Sequence, residues 1–488
     1  MSYVKMSLQD IQDNNYSLSA SLYQNTNVKY SSFKKLSDFV INLQKGTEPG
    51  SKFYCDERTY KFIRTSDIQE NSFLFNERLC VGILFTGFKN QNLKKEQILL
   101  VKDASLGKVA ILEKDYPNCM ICGGIHALTC KSPYYVFAIL QHPLFRENFE
   151  RNVPKGSVFS HASEKYLDFD IPLPKDNNLN VIYFIENLMF SIINKEILIK
   201  KRFNQINELI SNELNFKGFD EISSQEFPKF NEVTKQNKLY AGSYTKRIKF
   251  IKNLINSYEN GCFFIDKDNF KSGSTPSKKI ISSKSSSLKF KWIQPTNINE
   301  IGLFSSIPSI DFKNKKNNIN SNACLIINRT SKKIDGISGK FVGISTFYDY
   351  SFFGKGHHNQ GIYRIDNFND IDLIVIVSLL NHPLYREYMG EISLGSKMKE
   401  IKIDDLTSIP FPKFNSSFKL KIKNLFYNKN YYNTENLNNE NFLIYDKQWS
   451  EKAGLYDLFI TYQKQKNLLN NIIEKIYNGE YVEINYNF

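Results

Sequence analysis

The sequence predicts an α+β fold made of two tandemly repeated mixed α/β domains, each followed by a long helix. Three observations lead to this prediction. A series of motifs occurs twice in the chain, short β-branched runs alternate with helical segments, and two segments carry apolar residues at helical spacing. With 488 residues the chain is also too long for one ordinary core.

Six motif pairs follow one another in the same order in both halves of the chain. KFIRTSDIQE at 61–70 matches KWIQPTNINE at 291–300, an offset of 291 − 61 = 230. The offsets of all pairs lie between 273 − 46 = 227 and 379 − 139 = 240. The other pairs are GTEP and GSTP, Gly107-Lys108 and Gly339-Lys340, GGIHAL and QGIYRI, ILQHPLFRE and LLNHPLYRE, and a Gly-Ser followed by DIPLPK or SIPFPK. The series predicts two copies of a domain of about 150 residues.

Each copy combines strand and helix patterns. ILLVKD, VAIL and CLIIN are short β-branched runs bounded by polar residues, which is typical of strands. YYVFAILQHPLFRENF and LIVIVSLLNHPLYREYM have helical length, and the His-Pro in each predicts a kink or a restart of the helix. An Ile-Pro-x-Pro segment ends each copy.

A long helix is predicted after each copy, because apolar residues recur there at steps of three and four, as in a coiled-coil seam. The alternative is that each helix is amphipathic and packs onto its own domain. Glu196 and Gln465 are the polar positions of the two seams. The apolar seam residues are Ile185, Met189, Ile192, Ile199, Phe203 and Ile206, and Leu455, Leu458, Tyr462, Leu469, Ile472 and Ile476. The predicted segments are a first domain at 1–176, a central helix with linker at 177–235, a second domain at 236–415 and a C-terminal helical region at 416–488.

The charge balance indicates the kind of partner. Lys and Arg number 64 against 50 Asp and Glu, a net charge of +14, which favours a polyanion such as nucleic acid. The alternative is a lysine-rich composition without function. No apolar run reaches the length of a membrane span, and the N-terminus has no signal-peptide core, so we expect a cytoplasmic protein without a membrane partner. Seven cysteines without regular spacing do not indicate a disulfide framework.

Two motifs have an alternative catalytic or metal-binding interpretation. Cys119, Cys122, His126 and Cys130 resemble a structural zinc set, but the second copy has no cysteine in the matching segment, so we expect no metal. His142-Pro143 and its repeat at His382 lack a recurring Ser, Cys or carboxylate partner, which favours a packed or capping histidine. There is no Walker motif and no Pro-Pro dipeptide, and no catalytic residue is predicted.

Cations and small polar residues recur in the loops of both copies and are the candidate DNA contacts. Lys, Arg and Ser bind phosphates, whereas Arg, Gln and Lys can also read base edges. A Ser- and Lys-rich run at 278–291 suits a phosphate backbone. The alternative for each residue is a solvated surface side chain. The candidates are Lys61, Arg64, Lys108, Lys155, Ser157, Lys278, Lys279, Lys291, Gln294, Lys340, Ser396 and Lys397.

The order of these features resembles the DNA-specificity (S) subunits of Type I restriction–modification systems. The matching segments are KLSDFV at 35–40, Gly46 with Pro49, FIRTSDI, Gly107-Lys108 and IPLP at 171, and, in the second copy, Gly273 with Pro276, WIQPTNI, Gly339-Lys340 and IPFP at 409. Asn297 departs from the Asp expected in WIxxxDI, and the Asn-rich stretch 428–441 resembles an insertion.

The resemblance implies a non-catalytic DNA reader. Two target-recognition domains would each contact one half of a bipartite double-stranded site, separated by antiparallel coiled-coil helices with pseudo-two-fold symmetry. The partners implied are DNA adenine methyltransferase (M) subunits and a restriction (R) subunit. This chain would bind no cofactor, and S-adenosylmethionine, ATP and Mg would belong to the partner subunits.

Two alternatives stay open. The first is an S subunit that serves one fused restriction–methylation polypeptide, as in BcgI-like systems, because the opening NNYSLSASLY is echoed by NKLYAGSY at 237. The second is an enzyme that acts on nucleic acid by itself.

Overall fold

The computed structural model describes residues 30, 32–70, 72–103, 105–152, 164–219, 222, 228, 230–236, 240–275, 290–305, 307–310, 318–334, 337–338 and 341–488. The chain forms two compact units. One comprises Met1–Leu198, Tyr431–Lys452 and Leu458–Phe488, and the other comprises Ile199–Asn430 and Ala453–Asp457. Within the described ranges, no helix combines the length and the apolar character that crossing a membrane requires.

In its described residues the first unit contains ten strands, with four helices in its part up to residue 213. The strands are β1 (Phe33–Lys35), β2 (Val40–Lys45), β3 (Tyr54–Cys55), β4 (Lys61–Ile63), β5 (Val81–Ile83), β6 (Ile98–Val101), β7 (Val109–Ile111), β8 (Cys119–Ile121), β9 (Ile125–Cys130) and β10 (Asp170–Pro172). The helices are α1 (Leu36–Phe39), α2 (Pro133–Gln141), α3 (Pro143–Asn152) and α4 (Leu179–Glu213), of which α4 continues into the second unit.

Two four-stranded sheets organise this unit. The larger has the order β2-β9-β6-β7 and is antiparallel throughout, whereas the smaller has the order β3-β5-β4-β8 and pairs β4 with β8 in parallel. Both faces of β6 are buried, which explains its continuous apolar sequence. Ile98 and Leu100 belong to the core shared with the helices, and Leu99 and Val101 belong to the core under the smaller sheet.

Thirteen strands and seven further helices lie in the described part of the second unit. The strands are β11 (Cys262–Phe263), β12 (Lys271–Ser272), β13 (Phe290–Ile293), β14 (Ser309–Ile310), β15 (Ala323–Ile327), β16 (Arg329–Thr330), β17 (Lys333–Ile334), β18 (Ile337–Ser338), β19 (Ser345–Tyr348), β20 (Gly356–His358), β21 (Ile362–Ile365), β22 (Lys399–Glu400) and β23 (Phe411–Pro412). The helices are α5 (Phe230–Gln236), α6 (Lys246–Asn256), α7 (Tyr350–Phe353), α8 (Asp370–Asn381), α9 (Pro383–Ile392), α10 (Ile403–Leu406) and α11 (Ser416–Phe426).

The sheets of the second unit repeat those of the first, which confirms the predicted duplication. Its larger sheet has the order β12-β21-β15-β19, and its smaller sheet, β14-β13-β20, pairs β13 with β20 in parallel. The register is also equivalent. Lys45 pairs with His126 in the first copy and Ser272 with Tyr363 in the second, offsets of 272 − 45 = 227 and 363 − 126 = 237. The α+β class and the tandem repeat are therefore features of the structure itself.

Two helices complete the chain, α12 (Phe442–Lys452) and α13 (Leu455–Tyr477). Ser191 of α4 hydrogen-bonds to Gln465 of α13, and burial together with the nearby charge of Glu196 of α4 raises the pKa of Tyr462 of α13, so the two helices run antiparallel. The first half of α4 and the second half of α13 share one core with α2 and the larger sheet of the first unit. Within this unit the two helices therefore pack against each other and also onto the domain.

The predicted seam residues are buried, except that Phe203 and Tyr462 are partly exposed. At the two polar seam positions the structure supplies partners. Glu196 accepts hydrogen bonds from the Phe73 backbone N–H (3.0 Å) and from the Ser72 hydroxyl, and Gln465 accepts one from Ser191 at 2.9 Å. Polar residues in these seams therefore contact specific groups and do not interrupt the packing.

Candidate nucleic-acid interface

In each copy two loops cross at an equivalent place. We call this feature a loop crossing: residues 46–48 lie over 121–124 in the first copy, and residues 273–275 lie over 358–361 in the second. One backbone hydrogen bond holds each crossing: Thr47 N–H to the Ile121 carbonyl at 3.0 Å, and Ser274 N–H to the His358 carbonyl at 3.1 Å. The two bonds are equivalent. Their donors are offset by 274 − 47 = 227 residues and their acceptors by 358 − 121 = 237, the same offsets as in the strand pairing of the two larger sheets.

The glycine of the Gly-x-x-Pro motif is required at each crossing because the two loops approach so closely. A Cβ on Gly46 would lie 1.8 Å from the Cys122 carbonyl oxygen, and one on Gly273 would lie 2.2 Å from that of Asn359. A side chain at either position would separate the loops.

The Ile-x-x-x-Asp-Ile motif closes a short turn after β4 and β13. The Asp67 carboxylate accepts the Arg64 backbone N–H at 2.9 Å, and the Asn297 amide oxygen accepts the Gln294 backbone N–H at 2.8 Å. Asn297 thus performs the same capping as the Asp that it replaces.

The sequence alignment of Gly107-Lys108 with Gly339-Lys340 is wrong. Gly107 has a φ of 74° and donates to the Val101 carbonyl at 2.9 Å. The residue that does this in the second copy is Gly343, with a φ of 83° and a 2.7 Å bond to the Ile327 carbonyl. The offsets 343 − 107 = 236 and 327 − 101 = 226 match those of the neighbouring strands. FVGI at 341–344 therefore precedes strand β19, and the structural counterpart of Lys108 is Ile344.

The repeated His-Pro segments join helices to strands. Gln141 donates its amide to the Val109 carbonyl at 3.0 Å, and Asn381 donates to the Ser345 carbonyl at 2.8 Å. The next residue ends one helix and caps the following one: His142 Nδ1 accepts from Leu144 N–H at 3.4 Å, and His382 Nδ1 accepts from Leu384 N–H at 3.2 Å. The capping interpretation of these histidines is confirmed.

The repeated motifs therefore build a shared frame: the loop crossings, the capped turns, the turn glycines and the helix breaks. Because this frame is the same in both copies, it gives the two domains the same shape. Any difference in what the two domains bind must come from residues on the frame that differ between the copies.

Three candidate cations of the first copy are engaged within the domain. Lys61 pairs with Glu77, and Lys108 Nζ lies 3.5 Å from Glu70. The Arg64 guanidinium donates to Asp67 at 2.9 and 3.2 Å and to the Leu79 carbonyl at 3.2 Å, while 40% of its side chain remains exposed. The hydrogen bond to Asp67 raises the pKa of Arg64 further.

The described candidates of the second copy are partly or fully exposed. Lys291 Nζ lies 3.4 Å from the Ser309 hydroxyl, and Gln294 is partly exposed at the end of β13. Ser396 and Lys397 are exposed at the tip of a hairpin closed by two hydrogen bonds between Leu394 and Glu400, of 2.8 and 2.9 Å.

Five candidates lie outside the described residues: Lys155, Ser157, Lys278, Lys279 and Lys340. In the sequence, the stretches 276–289 and 311–317 contain seven lysines between them, at 278, 279, 284, 289, 313, 315 and 316.

The loop crossings carry residues that the sequence analysis did not single out. In the first copy Glu48 accepts the Gly123 backbone N–H at 3.0 Å, and in the second Thr275 donates its hydroxyl to the Gln360 amide oxygen at 2.6 Å. The offsets 275 − 48 = 227 and 360 − 123 = 237 make these pairs equivalent. The difference between GGIHAL and QGIYRI could have pointed to this site from the sequence. The sequence did not show, however, that Glu48 and Thr275 form hydrogen bonds with these segments.

A cleft of about 660 Å³ opens beside the first crossing. Among its lining residues, Lys45 pairs with Glu164, and Lys102 contacts Asp103 at 2.9 Å. His126 also lines it, and burial lowers the pKa of this imidazole to about 4, so it is neutral at pH 7. The cleft therefore presents mixed charges, not a purely cationic surface.

The cysteines near His126 are buried in the strands. Burial raises the pKa of Cys122 to about 11 and that of Cys119 to about 12, which keeps both thiols protonated. Within the described ranges no group of three or more His, Cys, Asp or Glu is placed to hold a metal ion.

Comparison with known proteins gives structural neighbours. No protein-family model matches the sequence, and no curated protein is significantly similar to it. The chain is similar to a Type I restriction–modification S subunit from M. genitalium, with 13% identity, coverage of 95% of this chain and 99% of that one, and a TM-score of 0.36.

Two further solved structures cover nearly the whole chain. The HsdS subunit from Thermoanaerobacter tengcongensis has 9% identity, coverage of 92% and 97%, and a TM-score of 0.28. A chain from a study of assembly and conformational transition in the type I R-M system has 10% identity, coverage of 92% and 98%, and a TM-score of 0.26.

Proposed function

We propose that this chain is the specificity subunit of a restriction–modification complex, which reads a bipartite double-stranded DNA sequence. The observation that carries the proposal is the duplicated frame, in which equivalent hydrogen bonds hold equivalent loops that present different side chains. Two copies of the same recognition domain that carry different loop residues fit a DNA target whose two halves differ in sequence.

Charge and order of motifs support the same function. The net charge of +14 favours a polyanionic partner. The motif series that resembles S subunits runs through both copies, and the described parts of these motifs serve the frame. Lys61, Arg64, Lys108, Lys291, Gln294, Ser396 and Lys397, with the five candidates outside the described residues, stay proposed DNA contacts.

We further propose that α4 and α13 separate the two readers and dock the methyltransferase. The 35 residues of α4 span about 52 Å at 1.5 Å per residue, about 15 base pairs at 3.4 Å each. M and R subunits would supply catalysis, with S-adenosylmethionine, ATP and Mg bound on them in the cytoplasm. The echo of NNYSLSASLY at 237 supports a second candidate, a subunit that serves one fused restriction–methylation polypeptide.

The proposal is tested by exchanging residues 40–175 for the corresponding domain of another specificity subunit and sequencing the methylated DNA of the host. We expect one half of the methylated motif to change and the other half to persist. A change in both halves would contradict the modular reader. Turnover of DNA by the pure chain with S-adenosylmethionine and Mg would instead support a stand-alone enzyme, and co-purification would show whether one or two partner polypeptides bind.

A further inference from the structure

The loop crossings place a different hydrogen-bonding group at the same point of each domain. In the second copy Gln360 is exposed, and its amide oxygen is held by the Thr275 hydroxyl at 2.6 Å. In the first copy position 123 is a glycine, whose backbone N–H instead holds the exposed carboxylate of Glu48 at 3.0 Å. An amide is thus presented by one domain and a carboxylate by the other.

The backbone positions around the two points are equivalent. A Cβ on Gly124 would contact Thr65 and Asp103, and a Cβ on Gly361 would contact Pro295 and Arg329. These contacts correspond by the offsets of the frame, since 295 − 65 = 230 and 329 − 103 = 226. The backbone therefore places the Gln360 amide in the second domain and the Glu48 carboxylate in the first domain at equivalent positions.

We propose that Gln360 and Glu48 are base-reading side chains of the two domains, an inference that rests on the proposed DNA-reading function. An amide can donate to N7 and accept from the N6 amino group of adenine, whereas a carboxylate can accept from the N4 amino group of cytosine. Gln360 reads adenine in one half-site, and Glu48 reads cytosine in the other.

The hydrogen bonds at the crossings leave the required atoms available. The Gln360 oxygen has a second lone pair besides the one that accepts from Thr275, and a carboxylate has lone pairs beyond the one that accepts from Gly123. Each existing bond fixes the orientation of an exposed side chain before DNA arrives, which reduces the conformational entropy lost on binding.

The neighbouring position also differs between the copies. Asp103, which Lys102 contacts at 2.9 Å, corresponds to the partly exposed Arg329 of the second copy. The two crossings therefore differ in charge as well as in hydrogen-bonding pattern. The two equivalent positions therefore do not read the same base. A group that pairs well with one base would leave unpaired donors or acceptors with a different base.

The test measures DNA binding by the complete complex with its methyltransferase, on duplexes that vary one base pair at a time. Gln360→Ala should weaken binding to the preferred site by roughly 5- to 150-fold and remove the preference for adenine at one position in one half-site. Gln360→Glu should move that preference towards cytosine. Thr275→Val should weaken the preference less than Gln360→Ala does, because the amide remains but is no longer oriented.

Glu48→Ala should abolish a cytosine preference in the other half-site only. Glu440→Ala is the matched control, because Glu440 is an exposed carboxylate in the Asn-rich segment and belongs to neither crossing, and it should leave every preference unchanged. Thermal melting of each variant checks that the domains remain folded.

The outcomes separate the inference from the proposed function. If the unmodified complex prefers no DNA sequence, the specificity-subunit proposal fails. If the complex is specific but Gln360→Ala and Glu48→Ala retain every base preference, the DNA-reading function stands and this inference is overturned. A loss that is equal for all four bases would assign the two residues to the DNA backbone and also overturn base reading.

Discussion

The ammonium of Lys195 on α4 pairs with the carboxylate of Asp446 on α12 inside the first unit. Lys195 is fully buried, and its Nζ also donates to the Ser191 hydroxyl at 2.9 Å. Tyr432 donates to Asp446 at 3.0 Å, and the rings of Tyr432 and Trp449 lie 5.5 and 5.7 Å from the ammonium. This network fixes the Asn-rich segment and α12 against the central helix.

Removing one member of the buried ion pair should cost far more than removing both. Burial lowers the pKa of Lys195, and Asp446 opposes that effect by stabilising the charged form. Asp446→Leu alone leaves a buried, unpaired ammonium, so we expect about 3 to 5 kcal/mol of lost stability. The double variant Lys195→Met with Asp446→Leu should recover most of it. Urea denaturation of the two variants checks this, and equal losses would contradict the ion pair as the cause.

The sequence predicted this region only in outline. The apolar steps of three and four in α4 and α13 are a local pattern, so the helices and their buried faces could be found. The partner of Lys195 is 251 residues away, and no pattern in the chain connects the two. The same limit applies to Lys61 and Lys108: the sequence marked them as candidate DNA contacts but did not show that they pair with Glu77 and Glu70 within the domain.

The glycines of the loop crossings give a second prediction. Gly46→Ala and Gly273→Ala each place a methyl group against a carbonyl oxygen that cannot move without opening the crossing. We expect each to destabilise its own domain by about 1 to 3 kcal/mol or more. Gly390→Ala is the control, because nothing lies within 4 Å of a Cβ at that helical position, and it should be neutral or slightly stabilising.

Differential scanning calorimetry of the three glycine variants measures these effects. If Gly46→Ala melts like the unmodified chain, the close approach of the two loops is not required for folding.

The glycine motif also shows where sequence reasoning erred. Gly339-Lys340 matched Gly107-Lys108 because each pair precedes an apolar run, and local patterns cannot tell which glycine adopts a positive φ. Gly343 takes that role because its N–H closes the turn on Ile327 and because a Cβ at this position would lie only 2.4 Å from Met389 Cγ. The order of the motifs was therefore predictable, and the register inside a variable loop was not.

The helix-capping histidines predict a pH dependence of stability. Burial lowers the pKa of His142 to about 4 and that of His382 to about 4, against about 6.5 in the unfolded chain. Between pH 6.5 and 4 the unfolded chain therefore binds more protons, so stability is complete above pH 6.5 and falls as the pH decreases through this window.

The variant His142→Asn with His382→Asn keeps a capping side chain but removes both titrations. The decrease of the urea midpoint between pH 7 and pH 5 should be smaller in this variant than in the unmodified chain, with a residual slope from His126, His357 and His358, whose pKa values burial also lowers. An unchanged slope would mean that the two capping histidines do not contribute.

The helix seams predict a loss of assembly. Ile199 and Leu469 are both buried, and Asp at these positions would place an unpaired carboxylate in a core, which costs several kcal/mol. Partner binding should be lost in the double variant, while weak non-specific DNA binding by the domains persists. Asn467→Asp is the control, because Asn467 is exposed on the same helix. Size-exclusion chromatography with the methyltransferase measures assembly, and its retention in the double variant would argue against the seam.

Arg64 and the lysine run should affect DNA binding in different ways. Arg64 stands at the end of β4, where the second copy has Gln294, and the structure holds its guanidinium in a fixed orientation on the buried carboxylate of Asp67. A held guanidinium suits bidentate contact with guanine. Arg64→Ala should therefore cost about 1 to 3 kcal/mol on the preferred half-site and little on a half-site mismatched at that base.

The lysines provide the contrast. Lys278→Ala with Lys279→Ala should weaken binding to all sequences equally and reduce the salt dependence by about one unit per lost phosphate contact. Titrations on matched and mismatched half-sites at two salt concentrations distinguish the two patterns. Thermal melting of Arg64→Ala is needed beside them, because this substitution also removes a partner from Asp67. An equal loss on both DNAs, with a lowered melting temperature, would assign Arg64 to the frame of the domain and leave base reading to the loop crossings.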